Sequence, residues 1–72
     1  MKREFEHAAE ALKRRLDEQG ITCAELSKRT QIDAGTLRGI LTGKRKSVST
    51  RNLAALARYY QITMQSLIDE FA

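Results

Sequence analysis

Apolar residues recur along this chain at three- and four-residue steps, the period of helices packed on one core. Phe5, Ala8, Ala9, Leu12 and Leu16 form the first stripe, with Lys13, Arg14, Arg15, Asp17 and Glu18 on the other face. The spacing predicts a helix from about Arg3 to Gln19, with Arg14 and Arg15 solvated and Gly20 as its C-terminal stop. A second, short helix is expected from Thr22 to about Thr30. Thr22-Cys23-Ala24-Glu25 has the form of a capping box, in which hydroxyl and carboxylate satisfy free amides at the helix start. Ile21 can pack back on it as a staple. Gln31-Ile32-Asp33 is a tight break, and Asp33 suits the N-cap of a third helix from Ala34 to about Thr42. Leu37, Ile40 and Leu41 are its inward stripe, and Gly43 ends it. Lys44-Arg45-Lys46-Ser47 reads as a basic loop. Ser49 then caps a fourth helix, about Thr50 to Tyr60, lined by Leu53, Leu56, Ala57 and Tyr60. Gln61-Ile62 turns the chain, and Thr63 caps a last helix, Met64 to about Phe71, with Leu67, Ile68 and Phe71 apolar.

The pattern implies an all-α fold, a compact five-helix bundle, and one domain over residues 1–72. Composition agrees. Proline is absent, helix formers are abundant, and the few aromatic and β-branched residues do not alternate. A chain this short buries only about 60% of its unfolded surface, so a tight bundle or a dimer is the expected route to stability. It leaves no room for a deep enzyme cleft.

Candidate chemistry is sparse. Cys23 is the single cysteine, so no intrachain disulfide can form, and a reducing cytoplasm is the expected location. His7 and Cys23 are too few and too far apart to compose a zinc site, and nothing calls for another metal or a cofactor. No nucleophile, base and orienting group stand at usable spacing, so no enzyme activity is expected. No apolar run approaches the roughly 18 residues of a membrane span. Met1-Lys2-Arg3-Glu4 has no apolar core behind it, so no signal peptide is expected. Cys23 does open the second helix, where a helix dipole lowers a thiol's pKa and would suit a redox sensor.

Charge changes the picture more. The net charge is +4, yet Lys28, Arg29, Arg38, Lys44, Arg45, Lys46 and Arg51 face Asp33 alone between positions 28 and 51. That third of the chain carries +6 and the remainder −2. One basic face and a polyanionic partner follow, or else a solvated basic loop. Two short helices joined by about three residues, the second rich in small residues, also have the form of a helix-turn-helix over about 22–43.

The chain resembles the Xre/Cro family of phage-repressor-like DNA-binding domains, also called lambda-repressor-like. The likeness rests on Gly20-Ile21-Thr22, Glu25-Leu26-Ser27, Ile32-Asp33, Leu37, Ile40 and Gly43-Lys44-Arg45. Leu53, Leu56, Ala57, Tyr60, Ile62 and Leu67 continue it through two more helices, about 50–71. There are departures. Ser27 stands where the family usually has Ala, and Gln31 where it often has Gly. A Gln31 held at φ > 0 would carry strain. Leu16 and Leu41 replace a frequent Arg–Glu pair, a swap that is often neutral or stabilising.

The resemblance implies double-stranded DNA as partner, with bases read from Ala34, Gly35, Thr36, Arg38 and Gly39. Arg38 can bond guanine bidentately, and Thr36 is the other polar reader. Gly35 and Gly39 lower helix propensity by roughly 1 kcal/mol each, so a reason for them is expected. That reason is close approach to DNA, or a helix packed tightly on something else. Phosphate contacts are expected from Lys44, Arg45 and Lys46, and from Ser49, Thr50, Arg51 and the start of the fourth helix. Cys23 sits where the family often has a phosphate-contacting Gln. Lys28 and Arg29 either flank the backbone or are solvated.

The implied function is a sequence-specific transcriptional regulator, a repressor on a palindromic operator, working as a homodimer. No effector domain is legible, so blocking polymerase is the simplest mechanism. Tyr59, Met64, Ile68 and Phe71 are the spare apolar residues for a dimer surface. Two alternatives remain open at this stage: a protein-interaction module, such as an antitoxin or adaptor, and a non-specific DNA binder.

Overall fold

A computed structural model describes residues 2–72; Met1, the first residue of the expected domain, lies outside the described residues. The elements are β1 (Lys2–Glu4), α1 (Ala8–Gln19), α2 (Cys23–Thr30), α3 (Ala34–Leu41), β2 (Ser47–Ser49), α4 (Thr50–Tyr60) and α5 (Met64–Phe71).

The five helices are as the apolar periodicity implies, with one correction at each of two places. The first helix begins at Ala8, not Arg3. Residues Lys2–Glu4 instead pair antiparallel with Ser47–Ser49, Arg3 opposite Val48. Phe5 N–H donates to Lys46 O at 2.9 Å and extends the pairing. The ladder satisfies backbone groups that an early helical turn would leave open, and no Ser, Thr, Asp or Asn precedes Ala8 to cap one. The second correction follows from it. The basic loop ends at Ser47, and Val48 turns inward from β2, 1% exposed. Phe5 reaches the core from an extended segment, and Ala11 rather than Ala9 joins the α1 stripe.

Caps fix the helix starts. Thr22 Oγ1 accepts from Glu25 N at 3.2 Å, Asp33 Oδ2 from Thr36 N at 3.1 Å, Ser49 Oγ from Asn52 N at 3.1 Å and Thr63 Oγ1 from Ser66 N at 3.0 Å. Only half of the expected capping box forms. The Glu25 carboxylate turns to Arg29 Nε at 3.2 Å.

The α2–α3 turn explains both departures at Ser27 and Gln31. Gln31 lies in the left-handed region at φ 66. Its side-chain amide donates to Lys28 O at 3.0 Å. The Ser27 hydroxyl donates to Ile32 O, and Thr30 Oγ1 accepts from Ile32 N at 3.3 Å. These bonds hold a conformation that glycine would adopt without help.

One core unites the helices. Leu12, Leu26, Leu37, Ile40, Leu53, Leu56, Leu67 and Phe71 are almost fully buried. Leu16 is buried and Leu41 half-buried at the edge of the same core, so both positions of the family's frequent ion pair are apolar. An ion pair forms elsewhere. Arg15, expected in solvent, donates from Nε and Nη2 to Glu70 at 2.6 Å each, and lies 4.4 Å from the Tyr60 ring centre. The hydrogen bonds to Glu70 raise the Arg15 pKa. Burial pushes the Tyr60 hydroxyl up to about 12, against the opposing pull of Arg15. This cluster ties α1 to α4 and α5.

Candidate nucleic-acid interface

α3 is positioned from both ends. Asp33 caps its first turn, and Leu37 and Ile40 anchor its inner face at 0% and 1% exposure. Gly35, Arg38, Gly39 and Thr42 then fall at i, i+3, i+4 and i+7 on the other face. Together with Lys44 they line an open depression of about 230 Å³. Arg38 is exposed, and its guanidinium enters none of the ion pairs among the described residues. Ala34 and Thr36 are half-buried beside this face. The five expected base-facing positions therefore differ in access: Gly35 and Arg38 are exposed, the carboxylate of Asp33 takes the space a Cβ at Gly35 would fill, and Gly39 lies partly beneath the side chain of Arg45.

Of the basic residues expected at DNA, Lys44 and Arg45 lie against α3. Lys28, Lys44, Arg45, Lys46 and Arg51 are exposed. Arg45 N–H donates to Gly39 O at 3.0 Å, which folds the loop back on α3. Arg51 stands on α4 across a cleft of about 350 Å³ from Thr30 and Gln31. Arg58, two turns along α4, lines the same cleft and was not singled out by sequence. Its signal was available: positions 51, 54, 55 and 58 share one helical face. Ser49 Oγ is engaged as the α4 cap, and Thr50 is exposed at the first turn.

Other residues are committed elsewhere. Arg29 donates to Tyr59 Oη at 2.8 Å and pairs with Glu25. The hydrogen bond to Tyr59, then that to Glu25, raises its pKa. Cys23 is half-buried, with Sγ 3.7 Å from Ala34 O. Burial raises its thiol pKa, with Arg38 opposing. The shift runs opposite to the lowering expected at a helix start, and the thiol meets the Ala34 carbonyl at the start of α3.

The dimer set needs one correction. Phe71 is 0% exposed, edge-on to Phe5 with ring centres 5.7 Å apart. It is a core residue and offers no side-chain surface. Tyr59, Met64 and Ile68 are half-buried at the edge of the core. Among the described residues no three His, Cys, Asp or Glu gather as a metal site, and no helix is long and apolar enough to cross a membrane.

The model of the Cro/C1-type HTH DNA-binding domains matches residues 11–69. The chain belongs to this family. The match runs from α1 through α5 and leaves β1 outside. The fold agrees with that of a solved structure described as a transcriptional regulator from Listeria innocua, at TM-score 0.73 and 21% identity. The superposition covers 93% of this chain and 61% of that protein, so this chain spans under two thirds of its neighbour's length. No curated protein matches the chain. As a Cro/C1-type HTH domain it is a DNA-binding module.

Proposed function

We propose that this Cro/C1-type domain is a sequence-specific transcriptional regulator, a repressor that reads a palindromic operator with α3. The observation that carries the reading is the outward face of α3. Arg38 stands there exposed between two glycines, outside every ion pair among the described residues, with Lys44 at its edge. A helix entering a major groove needs a slim, open face and a donor that can take guanine O6 and N7 together. Thr36 and Ala34 flank that donor and can meet a thymine methyl. Lys28, Lys44, Lys46 and Arg51, with Ser49, Thr50 and the amide end of α4, would meet phosphates. The structural neighbour from Listeria innocua, a transcriptional regulator, supports the regulatory part of the reading.

Two variants test it. Arg38→Ala is expected to relax preference at one base pair by about 1–3 kcal/mol, whereas Lys44→Ala weakens binding to all sequences alike. Affinities for a set of single-base-pair variants of a bound duplex check this. Equal weakening by both variants would make Arg38 a phosphate contact.

One domain presents few base contacts, so we place two copies on the operator. Met64 and Ile68 on α5, with Tyr59, form the contact. In sedimentation the intact chain is expected as a dimer of 8.2 kDa protomers, and Ile68→Glu as a monomer. A wild-type monomer, both free and at saturating DNA, would contradict the dimer.

A further inference from the structure

α3 is short of donors where a reading helix needs them. Gly35 and Gly39 take two of the four positions on its outward face. The space at Gly39 is not empty. A Cβ built there would lie 3.3 Å from Arg45 Cβ, 3.5 Å from Nε and 3.9 Å from Cδ. The Arg45 stem therefore runs along α3 in the place a side chain at position 39 would occupy. The backbone holds it there. Arg45 N–H bonds to Gly39 O at 3.0 Å, and the next carbonyl, of Lys46, accepts from Phe5 N at 2.9 Å. The loop is thus tied to α3 on one side of Arg45 and to the N-terminal segment on the other. No ion pair among the described residues engages the guanidinium.

We infer that Arg45, seated over Gly39, is a base-reading residue. It brings to the face of α3 the hydrogen-bond donors that position 39 lacks, beside those of Arg38. Gly39 is the positioning residue that leaves it room. The inference rests on the proposed reading of DNA by α3, and its target chemistry is a second guanine edge next to the one Arg38 takes. A residue serving phosphate alone would have no need to lie across the helix. The seat also gives a reason for a glycine in the last turn of a helix, where it disfavours helix formation. Alanine at 39 is the better helix former, so that variant folds. Its methyl would press on Arg45 Cβ, which the backbone bond to Gly39 prevents from swinging away. Arg45 must then give by a few tenths of an ångström, which moves its guanidinium off the seat.

The test is the affinity of the wild type, Arg45→Ala, Gly39→Ala and the double variant for a selected duplex and each of its single-base-pair variants. The wild type is expected to lose about tenfold for a mismatch at either guanine. Arg45→Ala should erase the penalty at one of them and keep the penalty that Arg38 imposes. Gly39→Ala should shrink that same penalty, and the double variant should be no worse than Arg45→Ala. Uniform weakening by Arg45→Ala across every duplex overturns the inference and leaves reading by α3 standing. Full additivity of the two substitutions overturns the seat at Gly39. A wild type that distinguishes no duplex overturns the underlying reading instead.

Discussion

Phe71→Ala is expected to lower the unfolding free energy by about 3–5 kcal/mol, the range for truncating a buried phenylalanine. A chain of this length has only about 4–11 kcal/mol in total. The loss falls at a junction. Phe71 packs edge-on to Phe5, and its carbonyl accepts from His7 N at 2.9 Å, where the chain passes from β1 into α1. Emptying the site removes the wall against which the N-terminal segment lies. Urea denaturation followed by helical circular dichroism measures the effect. The expected variant unfolds at much lower urea and is largely unfolded without it if the parent lies near the low end of that range. A variant with parental stability that merely lost self-association would place Phe71 on the surface and contradict the core described above.

DNA affinity is expected to fall steeply with salt. If Lys28, Lys44, Lys46 and Arg51 each neutralise one phosphate, the slope of log K against log salt is about −3.6 per protomer. A rise from about 50 to 200 mM then weakens binding by about 150-fold. These four side chains are exposed and enter none of the described ion pairs, so none must break a partner to reach DNA. Arg15 and Arg29, equally basic, are held by Glu70 and by Glu25 with Tyr59, and should not contribute. Fluorescence anisotropy across a salt series checks both points. Arg29→Gln should leave the slope unchanged, and Lys46→Gln should reduce it by about one. A flat salt dependence would remove these residues from the DNA surface.

The helices were legible because their signals are local. Thr22, Asp33, Ser49 and Thr63 each cap within three residues, and Gly20 stops α1 at φ 68. The β1–β2 ladder was not legible. It joins Lys2–Glu4 to Ser47–Ser49 across most of the chain, and three residues are too few for alternation to show. Phe71 was misplaced for a related reason. Periodicity marks Leu67, Ile68 and Phe71 alike as apolar, but only the fold decides that Phe71 meets Phe5 while Ile68 stays at the edge. Arg15 and Glu70 lie 55 positions apart, so their pair gave no sequence signal. In the site, the glycines of α3 were visible, but the seating of Arg45 over Gly39 was not. It depends on how the loop closes, through a backbone bond from Arg45 to Gly39.

Selection of bound duplexes from a random DNA pool tests most directly that α3 reads sequence. The intact chain is expected to enrich one motif, repeated in inverted orientation, and Arg38→Ala to lose the preferred base at one position of each half. Enrichment of no motif, or the same motif with the same strength from Arg38→Ala, would contradict reading by the exposed face of α3.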